Sequence, residues 1–501
     1  MRTSGILLPI SSLPSPGGIG TMGAAAREFV DFLHAAGQHY WQILPVCPTS
    51  YGDSPYQSFS TFAGNPYFID LDQLAEAGLL TPEEYRTIDW ESTPDCINYG
   101  VLYEKRYPVL RRACARLLAN PPEDYEQFLA DNAFWLPDYA LFMACKRHFG
   151  MRSWTEWEDA DIRLRKSPEV LERYRTLLRE DVELFTYIQY LFFRQWEELR
   201  AYANEQGIRL IGDLPIYVSL DSVDVWAHPE LFQLDQDNVP LAVAGCPPDG
   251  FSATGQLWGN PLYRWDYHRN TGYQWWISRM SYCFRLYDVV RIDHFRGFDE
   301  YFSIPYGDKD ARGGHWEKGP GIDLFRKIEQ ALGWKQVIAE DLGYMTDSVR
   351  HLVYESGFPG MKVLEFAFDS RDSGCASDYL PHNYPENCVA YTGTHDNETI
   401  VGWWNSITAA ERKLARDYLC DHATPEEELY KCFISLIMRS AARVCVIPMQ
   451  DYMGLDNRFR MNKPSTVGTN WKWRIKKRDL TKKLQKEIYD VTLRYGRKNW
   501  D

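Results

Sequence analysis

Four acidic residues follow short apolar or β-branched runs, at the points where strands would end. Asp213 comes after Arg209-Leu-Ile-Gly, Asp293 after Val290-Arg-Ile, Glu340 after Val337-Ile-Ala, and Asp396 after Ala390-Tyr-Thr-Gly-Thr-His. Two carboxyls about 5–5.5 Å apart can cleave a glycosidic bond with retention, since one attacks the sugar carbon and the other protonates the leaving oxygen. A single acid at a strand end often caps a helix or holds a turn, so the argument depends on the set.

Basic and imidazole side chains accompany these acids. Arg291 lies two residues before Asp293 and therefore shares its face of a strand, where a guanidinium would keep the carboxylate ionised and nucleophilic. His395 precedes Asp396 and can donate a hydrogen bond to a sugar hydroxyl. His294 is equally consistent with a satisfied interior group. The pattern indicates an acid-base site in which cations tune the carboxylates.

Eight short apolar or β-branched runs recur along the chain, at 6–10, 40–46, 208–211, 289–292, 336–339, 362–366, 388–391 and 444–447. Stretches with helical spacing lie between many of them, at 24–36, 185–205, 272–287, 322–332 and 426–439. This alternation predicts an α/β fold of the (β/α)8 TIM-barrel type, with a doubly wound sheet as the main alternative. The carboxyl ends of barrel strands meet at one mouth, so a barrel would bring the four acids together, whereas an open sheet would spread them along an edge.

Two segments are too long or too irregular for a simple crossover. The stretch between the second and third runs far exceeds one helix, and its helical spacing predicts a mainly helical insertion at 68–183. A second segment, 220–270, is dense in Pro, Gly, Asp and Trp, and we expect a loop-rich insertion over the active cleft. Both follow strand ends on the active face, so we expect one catalytic barrel over 1–501 with two insertions after strands two and three.

The bulk composition limits the partners. The 501 residues carry a formal net charge of −14, which disfavours nucleic acid, because its binding relies on clustered Lys and Arg. The eleven cysteines are odd in number and form no C-x-x-C pair, so we expect reduced thiols rather than disulfides or zinc. No run of eighteen apolar residues occurs, and the run at 6–10 is too short for a signal segment. The sequence predicts a cytoplasmic protein with a neutral substrate and no membrane contact.

Two motifs point elsewhere and are set aside. Residues 18–23 match the dinucleotide fingerprint G-x-G-x-x-G, but seven residues separate the match from the preceding run, and no acid for a ribose ends the second run. A loop that needs glycine explains the match better. No H-x-x-x-H or similar ligand spacing occurs. We therefore expect neither a cofactor nor a catalytic metal.

Several longer motifs, spread over nearly the whole chain, resemble the motifs of one enzyme family. They are Leu8-Pro-Ile-Ser-Ser-Leu-Pro-Ser, Tyr51-Gly-Asp-Ser-Pro-Tyr-Gln-Ser-Phe-Ser with Ala63-Gly-Asn-Pro, Gly212-Asp-Leu-Pro-Ile-Tyr-Val, Gly245-Cys-Pro-Pro-Asp249, Gly255-Gln-Leu-Trp-Gly-Asn, Arg291-Ile-Asp-His-Phe-Arg-Gly, Ala339-Glu-Asp-Leu-Gly, Thr394-His-Asp-Asn-Glu-Thr, Arg460-Met-Asn462 and Asn470-Trp471. The chain resembles the 4-α-glucanotransferases, or amylomaltases, of glycoside hydrolase family 77 in the α-amylase clan.

The resemblance implies a role for each matching residue. Asp293 would be the nucleophile, Glu340 the general acid and then base, and Asp396 the carboxylate that grips the distorting sugar. The implied substrate-binding residues are Asp213, Arg291, His395, Tyr56 as a stacking platform, Asn462, Asp249 and Trp258 in a loop arching over the cleft, and Phe366 on the sixth strand. The implied partners are α-1,4-glucans and maltooligosaccharides as donors, and glucose or a glucan as acceptor.

Two other functions remain open at this point. Asp213 is followed by Leu-Pro-Ile-Tyr-Val instead of the Asn-His pair of the α-amylases proper, which disfavours a calcium-linked amylase. An α-glucan hydrolase of the same clan is the nearest alternative enzyme. A catalytically idle glucan-binding protein is the alternative from another class, and the intact acidic set argues against it.

Overall fold

The computed structural model describes residues 2–91, 93–248, 252–343, 345–368 and 376–500. Its strands are β1 Thr3–Leu7, β2 Tyr40–Gln42, β3 Arg209–Leu214, β4 Ala242–Cys246, β5 Gln256–Pro261, β6 Val289–Ile292, β7 Glu300–Pro305, β8 His315–Lys318, β9 Val337–Ala339, β10 Gly360–Val363, β11 Cys388–Tyr391 and β12 Val444–Pro448. The α-helices are α1 Ala24–Ala35, α2 Leu71–Glu76, α3 Tyr99–Ala119, α4 Tyr125–Asp131, α5 Leu136–His148, α6 Ala160–Arg163, α7 Pro168–Leu177, α8 Arg179–Glu205, α9 Val223–Ala227, α10 Trp265–Asn270, α11 Gln274–Leu286, α12 Ile322–Leu332, α13 Asp347–Ser356, α14 Ala376–Tyr379, α15 Ile400–Ser406, α16 Ala409–Leu419, α17 Leu429–Met438, α18 Met449–Tyr452 and α19 Lys482–Arg494.

Eight parallel strands form the barrel, in the order β10-β11-β12-β1-β2-β3-β6-β9. The two end strands also approach each other, because the Ala339 amide donates to the Pro359 carbonyl at 2.9 Å. The barrel is therefore nearly closed, and the prediction of a (β/α)8 fold is confirmed. Each of the eight apolar runs contains or overlaps one barrel strand.

Side chains alternate between two cores, as strand geometry requires. Those pointing into the barrel form a compact apolar cluster of Leu7, Ile211, Val289, Ile338, Met361, Val363, Val389, Tyr391 and Val446. Their neighbours along the strands, such as Ile6, Leu210 and Val290, pack in a second cluster that includes helix residues. No helix among the described residues has the length and apolar run needed to cross a bilayer.

The chain between β2 and β3 contains helices α2 to α8. Two buried glutamines on α8 anchor it to the loop after β2. Gln189 exchanges two hydrogen bonds with the backbone of Gly64, at 2.7 and 3.0 Å, and Gln195 does the same with Asp70, at 2.6 and 3.0 Å. Because these bonds satisfy buried backbone groups, α8 fixes the position of the loop that carries Tyr56.

A second, antiparallel sheet has the order β5-β4-β7-β8. β4 and β5 come from the segment 220–270, and β7 and β8 follow β6. The strands of that segment are short and separated by turn residues, which is why composition alone suggested loops. The sheet is held by chain far away in sequence, since β4 pairs with β7 from Ala242 opposite Pro305 to Gly245 opposite Phe302.

Two strand ends differ from the sequence prediction. β3 continues to Leu214, so Asp213 lies inside the strand, paired in register with Arg291 of β6. β10 ends at Val363, and Phe366 lies in a 3-10 helix, Leu364–Phe368, instead of on the strand. The placement of Phe366 on the sixth strand was wrong, because the apolar run at 362–366 continues past the last ladder pair.

The glycine motif at 18–23 has a packing role. The Gly20 amide donates to the Ser11 carbonyl at 2.9 Å, and a Cβ at Gly20 would lie 1.8 Å from the Ile10 carbonyl oxygen. A Cβ at Gly23 would lie 2.1 Å from a carboxylate oxygen of Asp70. Close contact with the Ile10 carbonyl at Gly20 and with the Asp70 carboxylate at Gly23, rather than a phosphate, accounts for these two glycines.

Gly20→Ala should therefore destabilise the fold, by about 1–3 kcal/mol for a side chain forced into packed surroundings. Differential scanning fluorimetry measures the fall in melting temperature. Gly100→Ala is the matched control, because Gly100 is exposed on α3 and its Cβ would meet nothing closer than 3.5 Å. Equal melting temperatures for the two variants would contradict the packing role.

Candidate active site

A buried ion-pair cluster lies at the carboxyl ends of β3 and β6. The Arg291 Nη1 atom donates to both carboxylate oxygens of Asp213 at 2.7 Å and lies 3.0 Å from Oδ1 of Asp293. The side chains of Arg291 and Asp213 are 3% and 0% exposed, whereas that of Asp293 is 27% exposed. One guanidinium thus joins an interior carboxylate to one that faces the cleft.

Glu340 follows β9 and is fixed by its neighbours on β6. Its amide donates to the Ile292 carbonyl at 3.0 Å, and its carbonyl accepts from the Phe295 amide at 3.0 Å. Its two carboxyl oxygens accept the amides of His294 at 2.7 Å and Leu342 at 2.9 Å. Because backbone groups hold both ends of this residue, the Glu340 carboxyl is directed beside Asp293 before any substrate binds.

Asp396 lies on the loop after β11. Its Oδ1 accepts from the Asn462 side-chain amide at 2.6 Å, and its Oδ2 lies 3.3 Å from Nε2 of His395. The backbone N–H of Asn462 donates to the His395 carbonyl at 3.1 Å. Asn462 therefore braces both residues of the pair from a separate loop.

Tyr56 joins the two halves of the cluster. Its hydroxyl donates to Oδ2 of Asp213 at 2.7 Å, and its ring stacks on the His395 imidazole with centroids 5.1 Å apart and planes 14° from parallel. Burial and the adjacent Asp213 raise the pKa of Tyr56 well above its usual value, so the phenol stays a donor. The ring also contacts Trp471, at 5.8 Å between centroids.

The local environment gives the carboxyls of Asp293 and Glu340 different pKa values. Burial, then the negative charge of Asp293, raises the pKa of Glu340 to about 7. Burial raises the pKa of Asp293 to about 6, although Arg291 pulls it down. Arg291 lowers this pKa, in the direction that favours an ionised carboxylate, but removal from water and the nearby Asp213 outweigh its effect. Both pKa values are raised, and that of Glu340 is raised further, so Asp293 loses its proton at a lower pH than Glu340 does.

Asp396 and its imidazole neighbour shift in opposite directions. Burial raises the pKa of Asp396, but His395, Asn462 and Arg291 together bring it well below its usual value. Burial lowers the pKa of His395, and the Asp396 carboxylate reverses this, so the net shift is upward. This site therefore holds a carboxylate that stays charged beside an imidazole that readily becomes charged.

These side chains open into a cleft of about 720 Å³. Its lining includes the predicted residues Asp293, Asp396, Asn462, Tyr56 and Trp258. The Trp258 ring stands edge-on to the His294 imidazole, with centroids 4.9 Å apart, and its indole N–H donates to the Gln256 side chain at 3.0 Å. Trp258 is half-buried and contributes to the cleft lining.

Four further predicted residues are not in the lining but each contacts a residue that is: Arg291 contacts Asp293, Asp213 contacts Tyr56, His395 contacts Asp396, and Glu340 accepts the amide of His294.

The last two predicted residues have no such contact with the lining among the described residues. Phe366 packs edge-on against Tyr379, with centroids 5.3 Å apart, and is absent from the described lining. Asp249 lies outside the described residues. His294 follows Asp293 in the chain and lines the cleft, and burial lowers the pKa of its imidazole to about 3, so the ring is neutral at physiological pH.

Sequence reasoning missed part of the lining. Ile216 and Tyr217 line the cleft beyond β3, Lys309 and Asp310 do so beyond β7, and the loop from Pro464 to Val467 forms another wall. The motif Gly212–Val218 contains Tyr217, whereas Lys309 and Asp310 lie outside every motif identified in the sequence. Among the described residues, no group of three or more His, Cys, Asp or Glu side chains is arranged to hold a metal ion.

Comparisons with known proteins agree with this geometry. A family model described as 4-alpha-glucanotransferase matches residues 8–481. A "4-alpha-glucanotransferase" of Clostridium butyricum is 48% identical over 490 residues, covering 97% of this chain and 99% of that protein. One from Thermus thermophilus is 47% identical over 484 residues, covering 95% of each.

Solved structures give the same result. The amylomaltase from Streptococcus agalactiae in complex with acarbose superposes with a TM-score of 0.96 at 44% identity, and the match covers 100% of both chains. The amylomaltase from Corynebacterium glutamicum shares the fold, with a TM-score of 0.78 at 18% identity, covering 99% of this chain and 75% of that one. With its acidic cluster in a barrel mouth and full-length matches of this kind, the chain belongs to the 4-alpha-glucanotransferase family.

Proposed function

We propose that the protein is a 4-α-glucanotransferase, which transfers a segment of an α-1,4-glucan from a donor to the 4-hydroxyl of an acceptor. The observation that carries this proposal is the pairing of Asp293, bound to Arg291, with Glu340, whose carboxyl is held by two backbone amides at the same barrel mouth. Retaining glycosidases use two carboxyls that differ in protonation in this way.

The first half-reaction uses both carboxyls at once. An oxygen of Asp293 attacks the anomeric carbon as the bond from that carbon to the leaving glycosidic oxygen breaks. The proton of Glu340 passes to that oxygen, so the shortened glucan leaves as an alcohol. The product is a glucosyl ester on Asp293 of inverted configuration, with Glu340 now ionised.

The second half-reaction reverses these roles. Glu340 takes the proton of the acceptor 4-hydroxyl as that oxygen attacks the anomeric carbon, and the bond to Asp293 breaks. The second inversion restores the α-linkage. Burial raises the pKa of Asp396, but His395 and Asn462 lower it by more, so Asp396 remains ionised. Its negative charge would stabilise the glucose ring that distorts at the point of cleavage.

The cleft walls favour a sugar acceptor over water. Tyr56, Trp258 and Trp471 supply aromatic surface, which suits the apolar faces of glucose rings. Thr254 to Leu257 and Pro464 to Val467 add walls that exclude solvent once sugars fill the cleft. Donors would be α-1,4-glucans and maltooligosaccharides, and acceptors glucose or a glucan.

The protein would act in the cytoplasm. The cysteines among the described residues are free thiols, which fits a reducing compartment.

An assay with maltotriose separates this function from the alternatives. Transfer yields free glucose and a ladder of longer products while the number of reducing ends stays constant. A hydrolase of the same clan would raise the number of reducing ends with every cleavage, and a glucan-binding protein without activity would leave maltotriose unchanged. Chromatography with a reducing-end assay distinguishes the three results.

Asp293→Asn should reduce transfer by several orders of magnitude, because an amide cannot form the ester intermediate. The variant should still fold, since Asn keeps the shape of the side chain, and circular dichroism checks this. Asp310→Asn is a control from the cleft rim outside the proposed catalytic set. Retained turnover by Asp293→Asn would remove the residue from this role.

The pH dependence of transfer follows from the two pKa values. Asp293 must be ionised, so kcat/KM should fall as pH drops below about 6. Glu340 must be protonated, so kcat/KM should fall as pH rises above about 7. Initial rates with maltotriose across the pH range should give a bell. A rate that keeps rising well above neutrality would contradict the assignment of Glu340 as the acid, provided that activity recovers when the enzyme is returned to neutral pH.

A further inference from the structure

The loop that carries His395 and Asp396 is closed at its base by one buried carboxyl. Asp451, on α18, accepts a hydrogen bond from the Thr392 hydroxyl at 2.5 Å and another from the Ile400 amide at 2.8 Å. Thr392 directly follows β11, and Ile400 begins α15. The two ends of the eight-residue stretch between β11 and α15 are therefore joined through a single side chain.

This carboxyl is costly to bury. Asp451 is 0% exposed, and no Lys, Arg or His side chain among the described residues forms an ion pair with it. Burial raises the pKa of Asp451 to about 7 in spite of its two donors. A buried carboxyl without a countercharge is retained at a cost, which points to a requirement for the two hydrogen bonds that it accepts.

Different residues contact the base and the tip of this loop. The Glu365 amide donates to the Thr392 carbonyl at 3.3 Å, and the Glu365 carboxyl packs so closely on Gly393 that a Cβ there would lie 2.6 Å from its Oε1. At the tip, Arg460 donates to the carbonyls of Asp396, at 2.5 Å, and Asn462, at 2.6 Å. A shift at the base would move Asp396 relative to Asn462 and Arg460.

We propose that Asp451 is a positioning residue for transfer: by holding Thr392 and Ile400 together, it sets where His395 and Asp396 stand in the cleft. This inference rests on the proposed function, because it assumes that Asp396 acts on the distorting sugar. Asp451 itself is fully buried and is not among the described residues of the cleft lining. Its effect passes through the loop backbone.

The test pairs substitutions at both partners of the shorter hydrogen bond. Thr392→Val keeps the shape of the side chain and removes the hydroxyl, and Asp451→Ala removes the acceptor of both bonds. We expect kcat to fall between about 10- and 100-fold, as misplacement of a catalytic group by about 1 Å does, with KM nearly unchanged. Thr392→Ser keeps the hydroxyl donor. Asp451→Asn keeps an acceptor for the Ile400 amide, and its NH2 group can donate to the Thr392 hydroxyl, so both variants should stay close to the wild-type rate.

Glu411 on α16 offers a matched control, because it accepts the same kinds of bond and is not in the described cleft lining. It is 7% exposed and accepts from the Thr408 hydroxyl at 2.8 Å and the Thr408 amide at 2.8 Å. Glu411→Ala should lower the melting temperature as Asp451→Ala does and leave kcat per folded molecule unchanged. Equal losses of kcat in the two variants would mean a merely structural role and would overturn the proposal.

A double-substitution cycle gives the decisive readout. In an Asp396→Asn background, Thr392→Val should cost little further activity, because the group that the loop positions is already disabled. An undiminished effect of Thr392→Val in that background would overturn the proposal, as would wild-type kcat in Thr392→Val alone. Wild-type enzyme that fails to disproportionate maltotriose would instead refute the proposed function, so the two failures are distinguishable.

Discussion

The charge balance of the site depends on one buried guanidinium, that of Arg291, at the carboxyl ends of the barrel strands. Arg291 is the cation that both Asp213 and Asp293 contact, and the ladder between β3 and β6 places Asp213 directly opposite it. Without that charge, two neighbouring carboxylates would stand buried and uncompensated, at a cost that proteins normally avoid by protonating one of them. With it, Asp293 can be ionised near neutral pH, and its negative charge in turn raises the pKa of Glu340. Burial is the main reason that both pKa values are raised, and Arg291 counteracts it at Asp293, so in the proposed mechanism Arg291 helps to keep the two residues different in protonation.

Burial raises the pKa values of Asp293 and Glu340, and the elements that bury these residues come from distant parts of the chain. The Tyr56 loop is anchored by glutamines of α8, while Trp258 stands on β5 of the antiparallel sheet. Tyr56 and Trp258 line the cleft beside Asp293 and Asp396, where their rings add apolar surface near the carboxyls. Because lower polarity strengthens every charge interaction in the cleft, the same insertions shift the pKa values and disfavour water as an acceptor. Specificity for transfer and activation of the acids therefore share a physical cause.

The barrel and the acids could be predicted because they follow from local rules. Apolar runs with acids at their ends mark strands whose carboxyl ends meet, and Arg291 shares the face of Asp293 through the alternation of a strand. The sheet of β4, β5, β7 and β8 could not be foreseen in this way, since its pairing joins short strands from separate segments. Lys309 and Asp310 reach the cleft through that sheet. Asp451 is invisible for a similar reason: its partners Thr392 and Ile400 are distant in sequence, and nothing in its local run distinguishes it.

The central claim is that Asp293, kept ionised by Arg291, forms the bond to the transferred sugar. An α-maltosyl fluoride tests it most directly in Glu340→Gln, because fluoride leaves without protonation while the second half-reaction lacks its base. Peptide mass spectrometry after rapid acid quenching then locates the trapped sugar. The account predicts one glycosyl adduct, on the peptide that contains Asp293, with fluoride released in proportion. An adduct on Asp213 or Asp396, or steady fluoride release with no adduct on Asp293, would contradict it.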